Sequence, residues 1–238
     1  MADGFFTDRQ GRVRPIRGGK RGAGPVVAGV VALGIFAAGG GVGTVGAGAG
    51  AVAEAGASQV GVGSVRLGGS PGQLRARKGE GRKAARNEGP EGAWRRMGLR
   101  QVKRTVKQQA ECLAVSFGRV REFFTTHRCT YVERVLFAVA DEAGNTAAVS
   151  VAWVGTSSAG DARRFLDVVD VQGSGDITPL GGPLLDLGEI TFTGLRYGSD
   201  RDGAAVTIAE AENALGGQFD HDSLDAIAEV AAYLPRLP

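Results

Sequence analysis

Five ionisable residues fall close together near the end of the chain: Glu210, Glu212, Asp220, His221 and Asp222. Oxygen-rich groups of this kind hold hard divalent cations, and a cation there would serve a metal-dependent hydrolase. Their spacing matches no ligand pattern, however, and Asp222 is placed to cap a helix, so the group reads first as structural. The chain has only two histidines, His127 and His221, so any nucleophile activated by imidazole must use one of them. His127 lies two residues from Cys129, a spacing that can activate a thiolate, but it reads better as a cation in the last turn of a helix. Gly68-Gly69-Ser70-Pro71-Gly72 has the letters of a nucleophile elbow without the strand and helix that motif needs. The run from Gly41 to Gly46 has the letters of a dinucleotide fingerprint, but no second strand follows it. Gly173-Ser174-Gly175-Asp176 is either a loop at a ligand mouth or a solvated connection. None of these motifs fixes a reaction, and the sequence assigns no catalytic residue, metal ligand or cofactor.

Two other groups have definite chemistry. Cys112 and Cys129 are the only cysteines. In an oxidising compartment they would pair and close a loop of about 18 residues, contributing roughly 3 kcal/mol. In the cytosol they would be two buried thiols. The second group is basic: Arg75, Arg77, Lys78, Arg82, Lys83 and Arg86, followed by Arg95 and Arg96. Lys and Arg at this density bind polyanions by counterion release. The anion would be lipid or wall polymer outside the cell, and nucleic acid or the inner leaflet within it. Only Trp94 is available to stack a base, and a solvated linker is the competing reading.

These residues sit in a chain of two unlike halves. Residues 1–108 carry 19 Lys+Arg against 6 Asp+Glu, a net of +13, whereas residues 109–238 carry a net of −10. Of the 40 glycines, 26 lie in the first half, which places the packed core mainly in the second. A basic leader spans residues 1–24. Residues 25–53 then contain no Asp, Glu, Lys or Arg, and a stretch of that length can cross a ~30 Å hydrocarbon layer. A cleaved signal peptide ending near Ala51-Val52-Ala53 is the rival reading. Basic residues crowd the near N-terminal flank, which places the leader in the cytoplasm and the C-terminal domain outside, although a count over the whole linker reverses the vote. Gly39–Gly43 and Gly46–Gly50 fit a small-residue contact that would allow a homo-oligomer. Residues 54–100 read as a Gly/Arg-rich flexible, disordered linker.

The folded part is expected over residues 101–238. Val102, Val106, Leu113, Phe117, Val120 and Phe124 recur at helical spacing and predict one long helix ending near Thr126. Residues 131–140 and 147–154 predict a hairpin, with Glu133 and Arg134 on its solvent face and Trp153 in the core. A short helix follows over 159–169, then a loop over 172–188. Strands are expected over 190–197 and 204–210, and a last helix is capped by Asp222. The fold class is therefore α+β: a four-stranded antiparallel sheet from two hairpins, with helices packed on one face. A single transmembrane helix and the linker precede it.

Three stretches carry a resemblance: Val120-Arg121-Glu122-Phe123-Phe124, the run from Val149 to Val154, and Ala228-Glu229-Val230-Ala231 with Leu234-Pro235. Over roughly residues 94–238 the chain resembles actinobacterial membrane-associated proteins of unknown function. The resemblance implies a bacterial cell-envelope setting and carries no catalytic residues across. The expected protein is a single-pass membrane protein, not an enzyme, whose C-terminal domain binds an unknown ligand or partner. The alternatives are a cytoplasm-facing protein with a nucleic-acid-binding linker, and a metal-dependent hydrolase.

Overall fold

The computed structural model describes residues 64–238, together with a short antiparallel ladder of β1 (Phe5–Thr7) and β2 (Val13–Pro15). Apart from that ladder, the expected leader, the membrane anchor, the small-residue contacts and the glycine fingerprint lie outside the described residues. Among the described residues, no helix is long and apolar enough to cross a membrane.

The sheet grows from the expected hairpin, β5 (Cys129–Ala140) and β6 (Thr146–Thr156). Asp141 closes its turn by accepting from the backbone N–H (2.8 Å) and the Nδ2 (2.9 Å) of Asn145. β8 (Ala205–Ala214) pairs with β6, and β7 (Tyr197–Asp202) pairs with β8. On the other side, β3 (Arg100–Arg104) and β4 (Gln108–Ala110) both pair with β5. The result is one antiparallel sheet of six strands, not the four expected, ordered β3-β5-β6-β8-β7 with β4 also beside β5.

Nor are the helices confined to one face. Every residue of β6 is buried, which requires cover on both sides. Val135, Phe137 and Val139 point to one layer, formed by α1 (Pro71–Met97) and α4 (His221–Ala231). Val132, Val154 and Ile208 meet the opposite layer, formed by α2 (Gly118–Thr126) and α3 (Ala159–Val169). Leu136 and Ala138 lie under the 172–196 segment through Leu180, Leu185 and Leu187, beside a short 3-10 helix at Gly182–Leu185.

Helix α1 replaces most of the expected linker. Ser70 is its N-cap and accepts from the Gln73 N–H, Pro71 occupies the first turn, and Gly98 ends it in the left-handed region at φ 76°. Gly89, at φ 72°, and Pro90 break it internally. Its buried stripe is mostly Gly and Ala (Gly81, Ala84, Ala85, Gly92, Ala93), anchored by Leu74, Trp94 and Met97. A Cβ on Gly81 would come within 3.0 Å of Val230, so the glycine allows α1 to lie close against α4. Ser70 therefore caps this helix and does not sit on a nucleophile elbow.

The long helix expected from Gln101 forms only at its end, as α2. Val102, Val106, Leu113 and Phe117 are exposed, so the apparent apolar face covers nothing. The edge of β5 captures this segment instead, through β3, through the Thr105 backbone and hydroxyl on Leu136 (both 3.0 Å), and through β4. Cys112, in the loop after β4, is disulfide-bonded to Cys129 at the start of β5, with Cα atoms 6.3 Å apart. The bond ties that loop, not a helix, to the sheet.

Glu133 does not mark a solvent face. It is 1% exposed, and Arg236 binds it through Nε (3.0 Å) and Nη2 (2.5 Å), with Lys107 Nζ at 3.5 Å. The guanidinium holds this carboxyl below the usual range despite its burial. Trp153 is in the core as expected, its Nε1 donating to the Leu234 carbonyl at 2.8 Å. The last helix is capped by Asp220, not Asp222, through the Ser223 N–H at 2.9 Å. Trp94 is 1% exposed and packs edge-on against Phe137. Trp94→Ala should cost about 3–5 kcal/mol, whereas Arg75→Ala on the exposed side of the same helix should stay within about 0.5 kcal/mol; urea unfolding of the two variants checks this.

Candidate functional site

The expected strand over 190–197 is absent: the chain becomes β-paired only at Tyr197, and residues 190–196 form a loop. Gly194 turns that loop at φ 69°, and its N–H donates to Glu210 Oε2 at 2.7 Å. Beside the loop is a cavity of about 430 Å³, at the sheet edge where β7 begins. Its walls come from both helical layers: Val169 and Asp170 end α3, while Asp225 and Glu229 belong to α4. Phe117, Pro179, Phe192 and Leu195 supply apolar surface. A shallower hollow adjoins it, sharing Val171, Gln172, Gly173 and Leu195 and adding Arg119 and Glu122.

Gly173, Gly175 and Asp176 of the sequence Gly173-Ser174-Gly175-Asp176 line the cavity. The loop is pinned to the start of α2: Arg119 N–H donates to Ser174 O (2.6 Å), Phe117 N–H to Asp176 O (3.1 Å), and Thr178 N–H to Val115 O (2.6 Å). Gly175 has φ 118°, and a Cβ there would fall 2.2 Å from the Phe117 carbonyl. No side chain except hydrogen fits that approach.

The cavity gathers acids. Burial, with the charge of Glu210 behind it, pushes the Asp176 carboxyl up to about 8; the Ile177 N–H at 2.6 Å opposes the shift only in part. Burial likewise pushes Glu210 up to about 7 against its bond from Gly194, with the Glu212 charge adding to the rise. Asp225 is pushed up to about 6 by burial and by the charges of Glu229 and Asp222. Tyr197 is held well above its ordinary value by burial and by Asp170. Asp170 accepts from the Tyr197 hydroxyl (3.1 Å) and the Ser199 hydroxyl (2.8 Å).

The other sequence candidates lie elsewhere. Of the five clustered ionisable residues, only Glu210 reaches the cavity. Glu212 binds the Thr193 hydroxyl at 2.7 Å and Arg196 at 3.5 Å. Asp220 and Asp222 both pair with Arg66, at 2.7 and 3.0 Å, and His221 contacts Arg196 at 3.1 Å. Among the described residues, no group of three or more His, Cys, Asp or Glu is arranged to hold a metal ion. His127 stacks on Phe123 at 4.0 Å between ring centres.

The basic residues proposed for a polyanion are largely engaged within the chain. Lys78 (3.1 Å) and Arg82 both pair with Glu229 of α4, and Arg86 with Asp200 of β7 (3.0 Å). Arg77 donates to the Met97 carbonyl at 3.1 Å. Arg95 (2.8 Å) and Arg96 (3.7 Å) face Glu88, Lys83 faces Glu80 (3.3 Å), and Arg75 is exposed. Lys78 and Arg82 thus meet an acid of α4 and Arg86 one of β7, whereas Lys83, Arg95 and Arg96 pair with acids of α1 itself.

Sequence reasoning missed Phe192, Leu195, Tyr197, Asp225 and Glu229 as cavity residues. It also grouped Glu210 with the wrong neighbours. The usable signal was parity: Glu210 follows Val206 and Ile208 at period two, on the buried face of a strand.

The chain matches no protein-family model, no curated protein and no solved structure.

The raised carboxyls set a direction for stability against pH. The native state keeps protons on Asp225, Glu210 and Asp176 that the unfolded chain has released above about pH 4. Stability therefore falls as pH rises from about 4 through their folded values of about 6, 7 and 8, and levels off beyond. Glu133, Asp220 and Asp161, held low by their partners, act in the opposite sense and cost stability only below about pH 4. Thermal unfolding of the full chain should show a Tm that declines between pH 5 and pH 9. Asp176→Asn, which removes one buried charge, should flatten that decline and raise stability at pH 8.5 by on the order of a few kcal/mol.

Proposed function

We propose that residues 64–238 form a ligand-binding module, non-enzymatic, displayed at a bacterial cell envelope by the uncharged segment of residues 25–53. The observation that carries the binding reading is the cavity of about 430 Å³, walled by apolar side chains on one part and by Asp176 and Glu210 on another. A concave, largely apolar site with a few convergent polar groups is the usual form of a small-molecule site, and this volume falls within the range of such sites. The joined Cys112 and Cys129 favour an oxidising compartment, which agrees with a domain outside the cytoplasm. The internal pairing of Lys78, Arg82 and Arg86 weakens the reading of residues 70–110 as a nucleic-acid-binding arm.

One observation favours a second reading. Two carboxyls with raised proton affinity in a cleft are the equipment of acid–base catalysis, so a hydrolase without a metal is the alternative. Turnover abolished by Glu210→Gln would support it.

Leu195 is half exposed at the mouth, where Leu195→Trp would fill space without disturbing the core. A small-molecule fraction from the source cells should raise the Tm of the full chain by about 5 °C or more, consistent with a ligand near 100 times its Kd. Leu195→Trp should abolish that rise while keeping its own Tm. A wild-type Tm unmoved by every fraction would remove the binding reading. The envelope reading is separate: it requires the full chain to sediment with membranes and Cys112 and Cys129 to resist thiol reagents until reduced.

A further inference from the structure

The molecule deals with buried carboxyls in two ways. Glu133 is buried and receives a full counter-charge, with Arg236 bound to both of its oxygens and Lys107 at 3.5 Å. Glu210 is also buried, at 6% exposed, yet among the described residues no Lys, Arg or His pairs with it. Its Oε2 accepts from the Gly194 N–H, its side chain lines the cavity, and among the described residues no hydrogen bond reaches Oε1. Asp176 is only part-buried, but it lines the same cavity: Oδ1 accepts from the Ile177 N–H at 2.6 Å, and among the described residues no Lys, Arg or His pairs with it. Desolvating a carboxylate without a counter-charge costs several kcal/mol. A chain with 28 Lys and Arg does not lack cations to place there. Arg82 lines a neighbouring hollow, but it is directed to Glu229.

Both carboxyl groups border the same volume, whose remaining wall sets apolar Phe117, Phe192 and Leu195 beside further acids, Asp170, Asp225 and Glu229. A bare divalent ion would gain little from Phe117, Phe192 and Leu195, and no three-ligand group is present among the described residues to hold one. An ammonium or guanidinium on an apolar body satisfies both parts of the wall at once. We infer that the ligand of this cavity is an organic cation. Its charged head bridges Glu210 Oε1 and Asp176 Oδ2, and its apolar body lies against Phe117, Phe192 and Leu195. This rests on the reading of the cavity as a ligand site and narrows it to a chemical class.

The test uses the full chain at pH 8 and three probes of one shape: 2-phenylethylamine, 2-phenylethanol and phenylacetate. Binding is followed by chemical-shift changes at Gly173, Gly175 and Gly194. The amine should bind at least tenfold more tightly than the alcohol, since a hydrogen bond to a charged group is worth about 1.5–3 kcal/mol, and the carboxylate should bind most weakly. Glu210→Gln and Asp176→Asn should each remove most of the preference for amine over alcohol while leaving alcohol binding in place, which also shows that the variants fold. Equal or tighter binding of the alcohol or the carboxylate overturns the cationic class and leaves the cavity standing as a site. Calcium ion alone producing the same shifts overturns it in favour of a metal. If none of the probes moves these resonances, the cavity reading itself falls.

Discussion

A strand buried on both faces along its whole length must be covered twice, and β6 imposes that requirement on everything around it. Its run from Ala147 to Ala152 presents small side chains to both layers, and Trp153 is its one large group, on the side of α1 and α4. One cover, α2 with α3, brings aromatic weight through Phe123, Phe124 and Phe165. The other needs more surface than α4 alone supplies. A helix made largely of Gly, Ala and Arg completes it, bringing only Leu74, Trp94 and Met97 as large apolar groups. Charge compensates for what α1 lacks in apolar area, because its cations meet the acids of α4 and β7. Such partly exposed pairs each add little, but they set which face of a weakly amphipathic helix turns inward.

The same geometry opens the cavity. β7 pairs with β8 only from Glu210 back to Ala205. Beyond that point the edge of the sheet is left to a loop, which turns at Gly194 to reach Glu210. A second loop, held against α2 by Gly175 and Ser174, faces it. Ordinary packing of glycine-bearing loops around a short edge strand leaves a buried Glu210 and a part-buried Asp176 side by side, with no cation paired to either among the described residues. The stability lost there with rising pH is what a bound positive charge would recover.

The parts of the fold legible in sequence are those whose pattern is local. Residues 131–140 were marked by alternation as β5, and α3 has the bounds its periodicity predicts, whereas the strand expected over 190–197 lies instead at Tyr197–Asp202. Helix α1 was not legible because a stripe of Gly81, Ala84 and Ala85 has almost no hydrophobic contrast with its surroundings. β3 and β4 were not legible because Val102 and Val106 fall at a spacing that fits a helix, and only the exposed edge of β5 decides between the two. Within the site, the loop at Gly173–Asp176 stood out by composition. Asp225 and Glu229 did not, since on a helix they look like solvent-facing acids, and only the end of β7 brings them to a cavity. The arginine that neutralises Glu133 lies 103 residues away, beyond any local pattern.

Val65 bridges to Phe219, and Arg66 reaches Asp220, so the fold takes hold of the chain well before α1 begins. Were residues 25–53 to span a membrane, as proposed, the chain between that span and the described domain would be ten residues and not the expected 47. Fully extended, ten residues reach at most about 35 Å, against about 160 Å for the longer tether. If the proposed anchor holds, a domain on so short a leash would sample a thin shell next to the bilayer and meet only what passes through that shell.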